Sequence, residues 1–125
     1  MKLQLALALS LLTLKPLAWA ADYLATCSDC RLASSDPPTL TCICQSLDGD
    51  NRTTQINLNT CIINAGGILR RQRRGNFGAS CESLLYTSNG DLKALCRNGV
   101  TRDSDNWITI SLNDVLSNFD GNLGC

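Results

Sequence analysis

Short runs of alternating apolar and polar residues recur along the chain. Residues 108–112, Ile-Thr-Ile-Ser-Leu, alternate with a period of two, which is typical of a half-buried β-strand. Residues 53–58 repeat this pattern 54 positions earlier, with a similar share of β-branched residues. Asp48-Gly49, Asn89-Gly90 and Asp120-Gly121 separate such runs, and these pairs favour tight hairpin turns because they accept positive φ. The pattern predicts an all-β fold of short strands joined by hairpins.

Helical signals are limited to one turn in each half of the chain. Residues 112–117 are expected to form a single turn capped by Asn113, because asparagine is a preferred helix N-cap. Residues 58–63 are expected to form the matching turn.

The whole pattern repeats with a period of 54 residues. Both copies contain a cysteine pair, an Ile-x-Leu-Asn motif and a hairpin that begins with asparagine and ends in leucine. These features lie at Cys27, Cys42, 56–59 and 64–69 in the first copy, and at Cys81, Cys96, 110–113 and 118–123 in the second. The sequence predicts one domain over 21–125, built from tandem repeats of about 22–74 and 75–125, in which a binding site can exist twice.

The N-terminal residues have the pattern of a secretory signal peptide. Lys2 precedes an apolar run over 3–14, and Ala18-Trp19-Ala20 is a small-x-small cleavage site. We expect cleavage after Ala20 and a secreted, extracellular protein. Removal of Lys2 and Lys15 leaves 9 basic and 11 acidic residues, a net charge of −2. This balance favours neither a nucleic-acid partner nor insertion into a membrane.

Eight cysteines in so short a secreted chain predict a disulfide framework. The equal spacing within the repeats predicts that Cys27 bonds to Cys42 and that Cys81 bonds to Cys96, each pair stapling two strands of a hairpin. Three pairings remain open for the other four cysteines, Cys30, Cys44, Cys61 and Cys125. If Cys27 faces Cys42, strand parity makes a bond between Cys30 and Cys44 the least favoured of them.

Few residues are suited to catalysis or to metal binding. The chain has no histidine and a single glutamate, Glu82, and bridged cysteines are not nucleophiles. Cys27-x-x-Cys30 has a zinc-like spacing, but Cys42-x-Cys44 does not. We therefore expect no enzyme activity, metal or cofactor. The one charge run, residues 70–75, is expected to be a solvated linker, with anionic-glycan binding or cleavage by a dibasic-specific secretory protease as alternatives.

The repeated motifs resemble the cyanovirin-N lectin family over the whole mature chain. Ile-x-Leu-Asn at 56–59 and 110–113, followed by the hairpin motifs at 64–69 and 118–123, lies at the family's spacing. The resemblance implies two pseudo-symmetric halves, each a three-stranded sheet plus a hairpin that the repeats exchange. It also implies calcium-free binding of mannose-rich glycans, with one pocket in each half.

The resemblance assigns a main pocket and a second pocket. The main pocket maps to Thr26, Gln45, Asn118 and Asp120, and its Asn-x-Asp-Gly turn is intact. Ala25, Ile43 and Cys44 stand there where the family often has polar groups. The second pocket has Gly66 in place of the motif's aspartate, and Ile63 and Ala79 in place of acidic residues. We therefore expect it to be weak; it maps to Asn64, Asn76, Ser80, Arg97, Asn98 and Thr101.

The sequence thus predicts a secreted, metal-independent lectin for mannose-type or related glycans, which binds glycans or glycoproteins. The alternative is a cysteine-rich interaction protein that has kept the scaffold and lost the sugar. The resemblance leaves open whether the protein is a monomer or a domain-swapped dimer. Asn51-Arg52-Thr53 is an Asn-x-Thr sequon, so we expect Asn51 to be available for glycosylation in a eukaryotic host.

Overall fold

The computed structural model of the protein describes residues 21–99 and 107–125. The expected signal peptide at 1–20, and Thr101 of the second pocket, lie outside the described residues. The described chain forms ten strands: β1 (Cys27–Ser35), β2 (Pro38–Gln45), β3 (Asn51–Asn57), β4 (Ile62–Ala65), β5 (Ile68–Arg71), β6 (Cys81–Tyr86), β7 (Asp91–Cys96), β8 (Trp107–Ser111), β9 (Ser117–Phe119) and β10 (Asn122–Gly124). Within these residues, no helix is long and apolar enough to cross a membrane.

The strands form two three-stranded antiparallel sheets and two hairpins. One sheet has the order β1-β2-β3 and the other β6-β7-β8, and the hairpins are β4–β5 and β9–β10. The regular elements between them are single 3₁₀ turns, which are Tyr23–Ala25, Leu58–Thr60, Phe77–Ala79 and Leu112–Asp114. The prediction of an all-β fold is confirmed.

Each hairpin packs on the sheet of the other repeat. In the β9–β10 hairpin, Ser117 forms a bridge with Asp22, and the Leu123 N–H donates to the Thr54 hydroxyl at 3.1 Å. The β4–β5 hairpin lies against the second sheet, where β5 contacts β8. Both halves of the molecule therefore contain parts of both repeats, as the resemblance implies.

The repeats place equivalent residues in one continuous core. Tyr23 and Phe77 open the two repeats, and Leu58 and Leu112 follow the third strand of each sheet; all four have no exposed surface. Burial of a side chain of this size contributes about 1.5–3 kcal/mol. The 54-residue period thus reflects a duplicated set of core contacts.

The disulfides depart from the expected pairing in the first repeat. Cys81 bonds to Cys96 as predicted, but the predicted bond between Cys27 and Cys42 is wrong. The observed bonds of the other cysteines are Cys27–Cys44, Cys30–Cys42 and Cys61–Cys125.

A difference in hairpin length explains the wrong pairing. The bridge that closes the first sheet joins residues 17 apart, whereas its counterpart Cys81–Cys96 joins residues 15 apart. The first hairpin therefore has two more residues between its bridged cysteines, and its strands are longer. The second repeat instead has two more residues between the partners that join its second and third strands. Leu95 pairs there with Trp107, whereas the equivalent residue of the first repeat, Ile43, pairs with Thr53. The period of 54 is restored, and Cys44, not Cys42, is the structural equivalent of Cys96.

A β-bulge allows the extra bridge in the first repeat. The register of β1 against β2 shifts between Ser28 and Arg31, and Asp29 in the bulge has a φ of 51°. The added residue changes the alternation of side chains along β1. Cys27 and Cys30 therefore point to the same face of the sheet, although they are three residues apart. Ser83 has a φ of 56° in the matching bulge of β6.

The two predicted turns form but are shorter than expected, Leu58–Thr60 and Leu112–Asp114, and two further turns, Tyr23–Ala25 and Phe77–Ala79, were not predicted. The predicted cap is also wrong. Ser111, not Asn113, is the N-cap of the turn Leu112–Asp114, and Asn113 lies within it. The Asn113 side chain instead accepts from the Leu24 N–H and donates to Asp22. The amide of Asn113 therefore joins the two repeats across their boundary.

Candidate functional site

The turn of the β9–β10 hairpin is fixed by one asparagine. The side-chain oxygen of Asn118 accepts a hydrogen bond of 2.7 Å from the Gly121 N–H. Its side-chain nitrogen donates to the Thr26 hydroxyl and to the Gln45 carbonyl, both at 2.8 Å. Asn118 therefore joins the β9–β10 hairpin to Thr26, at the start of the first repeat, and to the end of β2.

Asp120 completes this group from the same turn. One carboxylate oxygen, Oδ1, accepts a 2.8 Å hydrogen bond from the Leu47 N–H. Within the described residues, the other oxygen makes no hydrogen bond or ion pair, so it is a charged acceptor open to solvent. The four residues predicted for the main pocket thus lie together. They line a cavity of about 340 Å³ with Ser46, Leu47 and Gly49.

The loop between β2 and β3 forms the opposite wall of this cavity. The Ser46 N–H donates to the Asp50 carbonyl at 2.7 Å, and the Ser46 hydroxyl donates to the Asp48 carboxylate. The hydrogen bond from Ser46, together with that from the Asp50 N–H and the nearby charge of Arg52, holds the pKa of Asp48 below its ordinary value. A loop with this many internal hydrogen bonds presents a pre-organised wall to a ligand.

Leu47 is a pocket residue that the sequence pattern did not single out. Its side chain is 91% exposed although it is apolar, and it stands at the edge of the cavity. The turn at 47–51 was predicted from its Asp-Gly pair, but nothing in the sequence shows that its backbone meets Asp120. That contact joins residues 73 apart in the chain.

The second predicted site repeats the geometry of the first around Asn64. The Asn64 side chain accepts from the Gly67 N–H at 2.8 Å and donates to the Ser80 hydroxyl at 2.8 Å and the Arg97 carbonyl at 2.9 Å. Asn64, Ser80 and Arg97 therefore correspond to Asn118, Thr26 and Gln45.

The remaining described residues of the second site are not joined to Asn64 by such hydrogen bonds. Asn98 lies against the hairpin turn, where a Cβ added to Gly67 would be 3.0 Å from the Asn98 Cβ. Asn76 forms a backbone bridge with Ile63, and its side chain makes no hydrogen bond to the other described members. Gly66 stands where the β9–β10 hairpin has Asp120, so the β4–β5 turn contributes no carboxylate.

Metal ligands are not gathered at either site. Over 21–99 and 107–125, no group of three or more histidine, cysteine or acidic residues is placed to hold a metal ion. The chemistry that the described residues offer is hydrogen bonding: hydroxyls, amides, backbone carbonyls and, in the main pocket, one carboxylate.

The fold and its two sites match known proteins. A model of the CVNH domain family matches residues 23–124. The CVNH protein of T. borchii is 26% identical, with a TM-score of 0.65 over 82% of this chain and 97% of that chain. A variant of MoCVNH3 in complex with (N-GlcNAc)4 is 18% identical, with a TM-score of 0.74 over 85% of this chain and 97% of that chain. Microvirin in complex with mannobiose is 22% identical, with a TM-score of 0.58 over 83% of this chain and 97% of that chain.

The family match covers nearly the whole described chain, and its two repeats carry the paired hairpins and asparagine-centred turns set out above. This protein belongs to the CVNH, or cyanovirin-N homology, family of lectins.

Proposed function

We propose that the protein is a secreted, metal-independent lectin and that the pocket of Thr26, Gln45, Asn118 and Asp120 is its main sugar site. The observation that carries the proposal is the fixed carboxylate of Asp120, which has one oxygen held by the Leu47 N–H and the other free. The free oxygen is an acceptor for a sugar hydroxyl on the wall of a cavity of about 340 Å³.

The polar groups of this pocket suit a saccharide because sugar hydroxyls both donate and accept hydrogen bonds. The Thr26 hydroxyl and the Gln45 side chain add neutral donors and acceptors to the charged acceptor of Asp120. Hydrogen bonds to a charged group contribute about 1.5–3 kcal/mol, against roughly 0.5–1.5 for neutral pairs. Asp120 is therefore expected to supply the largest single polar contribution.

The exposed Leu47 side chain adds an apolar surface beside these polar groups. A pyranose ring has apolar C–H faces as well as hydroxyls, and burial of such a face against a leucine is favourable. A site that combines an apolar surface with polar groups distinguishes a sugar from a simple anion.

Related structures support the class of ligand. The MoCVNH3 variant is in complex with a GlcNAc tetramer, and microvirin is in complex with mannobiose. Both hold neutral oligosaccharides, and we propose mannose-type or related neutral glycans as ligands here.

The second site is proposed to contribute little. It keeps the asparagine that fixes the hairpin, but Gly66 leaves the turn without the charged acceptor that Asp120 provides. With one effective pocket, a monomer gains no avidity from clustered glycans.

Binding of the purified, disulfide-intact protein to a glycan array, with and without a chelator, tests the proposal. The expected result is binding to neutral oligosaccharides that the chelator leaves unchanged. Loss of binding with chelator would contradict metal independence. A folded protein that binds no glycan would overturn the proposal and favour the alternative, a cysteine-rich interaction protein on a lectin scaffold.

A further inference from the structure

The linker between the repeats carries a basic sequence that the sugar sites do not use. Residues 71–74 read Arg-Gln-Arg-Arg and are followed by Gly75. Basic residues at the first, second and fourth positions before a scissile bond are the recognition pattern of the endoproteases that process secretory proteins. We propose that such a protease cleaves the chain between Arg74 and Gly75, giving a two-chain protein whose parts stay covalently joined.

The arginine side chains are available for recognition. Arg70, Arg71, Arg73 and Arg74 are all exposed, and within the described residues none of them forms an ion pair. Arg73 and Arg74 line an open cavity of about 370 Å³ with Thr60 and Cys125. Because the rest of the mature chain is acidic on balance, these four charges form a distinct basic surface for a protease cleft with acidic subsites.

The backbone at the cleavage point lies in a turn that backbone hydrogen bonds hold in place. The Gln72 N–H donates to the Cys61 carbonyl at 2.8 Å, and the Arg74 N–H donates to the Thr60 carbonyl at 2.9 Å. Arg74 has a φ of 57°. Gly75 lies against β4, where an added Cβ would be 2.3 Å from the Ile62 carbonyl oxygen.

Presentation of this segment to a protease requires local opening. Every side chain from 70 to 74 is already exposed, so opening breaks backbone hydrogen bonds without withdrawing an apolar side chain from the core. The buried anchors on either side, Leu69 and Phe77, can stay in place. Segments of this kind open at a small fraction of the free energy of global unfolding.

The reaction is a simple hydrolysis. The C–N bond between the Arg74 carbonyl carbon and the Gly75 nitrogen breaks, and water supplies a hydroxyl to the carbon and a proton to the nitrogen. The products are a carboxylate on Arg74 and an amino group on Gly75, and the total mass rises by one water molecule.

The disulfide topology decides what becomes of the two pieces. Cys27–Cys44 and Cys30–Cys42 lie within the first piece, and Cys81–Cys96 lies within the second. Cys61–Cys125 joins them, because Cys61 precedes the cleavage point and Cys125 follows it. The exchanged hairpins hold the same pieces together noncovalently. The cleaved protein is therefore expected to keep its fold.

The test is digestion of the purified, folded, disulfide-intact protein with a purified processing endoprotease that is specific for paired basic residues. It depends neither on glycan binding nor on the location of the protein in a cell. The expected product migrates as one species without reductant, is heavier by one water, and separates on reduction into two chains, the second beginning at Gly75. The Arg73→Gln/Arg74→Gln variant should resist cleavage, whereas Arg70→Gln, which leaves the recognition pattern intact, should be cleaved at the parent's rate.

Two results would overturn the inference. One is an intact native protein under conditions that cleave the reduced, unfolded chain after Arg74, because the fold would then protect the linker. The other is cleavage at a different bond. A Cys61→Ser/Cys125→Ser variant tests the covalent link: after cleavage its two chains should separate under denaturing conditions without reductant. A single covalent species from that variant would contradict the role assigned to the bridge.

Discussion

The hydroxyl groups of Tyr23 and Tyr86 lie 2.8 Å apart and join the two repeats. The Tyr23 hydroxyl also donates to the Gly90 carbonyl at 3.2 Å, and the side chain has no exposed surface. Burial, followed by the hydrogen bond that Tyr23 shares with Tyr86, raises the pKa of Tyr23 far above its ordinary value of 10.0. At a pH at which Tyr23 of the unfolded chain has lost its proton, Tyr23 of the folded protein therefore stays protonated.

This difference predicts a loss of stability at alkaline pH. Above pH 10.0 the unfolded chain releases the Tyr23 proton and the folded chain keeps it, so the free energy of unfolding falls as the pH rises. Tyr23→Phe should make the fall shallower, and Phe77, at the equivalent place in the second repeat, indicates that phenylalanine fits. At neutral pH the variant should lose about 1 kcal/mol. Urea unfolding of both proteins across this pH range checks the prediction; parallel profiles would contradict it.

Removal of the main pocket's carboxylate should weaken sugar binding. Asp120→Ala deletes the free acceptor oxygen and the partner of the Leu47 N–H, so we expect a loss of roughly tenfold or more, at about 1.4 kcal/mol per decade. Asn64→Ala, in the second site, should change binding little. Calorimetric titration of both variants with an oligosaccharide that the parent binds checks this. If Asn64→Ala abolishes binding while Asp120→Ala preserves it, and both are folded, the pocket assignment is wrong.

Addition of a carboxylate to the second site should strengthen it. Gly66 has a φ of 64°, close to the 54° that Asp120 adopts, and an added Cβ would approach only the Asn98 carbonyl, at 4.0 Å. Aspartate tolerates this left-handed conformation better than most residues. Gly66→Asp should therefore fold and bind clustered glycans more tightly than the parent, through two sites. Surface plasmon resonance on a dense glycan surface measures this gain, and Gly66→Ala, which adds a side chain without an acceptor, is the control.

The Cys30–Cys42 bridge should be replaceable by the pair that the second repeat uses. Leu84 and Ala94 occupy the equivalent positions, and Ala94, like Cys42, has no exposed surface. A bridge that closes so short a loop contributes about 3 kcal/mol in the chain-entropy model, and the packing of leucine and alanine should offset part of this loss. Cys30→Leu/Cys42→Ala should lose less stability in urea than Cys30→Ser/Cys42→Ser, which buries a hydroxyl. Equal losses would show that the two repeats are not interchangeable here.

Acid titration should report the hydrogen bonds that hold Asp48 in the loop between β2 and β3. The Asp48 carboxylate is held charged by the Ser46 hydroxyl and the Asp50 N–H, so the amide resonances of the loop should shift with a midpoint below the ordinary 3.8. Because folding lowers the pKa of Asp48, its carboxylate stabilises the folded state above the ordinary pKa. This stabilisation is lost as the pH falls through the lowered pKa of the folded protein. Ser46→Ala should move the midpoint up toward 3.8, as NMR can measure. A midpoint that does not move would contradict the role of Ser46.

Much of the fold is visible in the sequence because its cause is local. Alternation at 108–112 depends only on which side of a strand each residue faces, and the turn at Asp120-Gly121 depends on two residues that accept positive φ. Tyr23 and Phe77 lie one repeat period apart because both copies bury an aromatic residue at the same place in the core. The asparagines that organise both sites, Asn64 and Asn118, begin the repeated hairpin motifs, and the family resemblance assigned them to the pockets.

The tertiary structure decided the register and the long-range contacts. The bulge at Asp29 and the longer first hairpin set Cys44, not Cys42, opposite Cys27, although the linear period of the cysteines predicts the reverse. Likewise, the contact of Asp120 with the Leu47 N–H joins chain segments that no sequence pattern connects. A periodic pattern records how each strand faces its neighbours. It does not record how many residues a turn or bulge adds, and that number sets which side chains meet across a sheet.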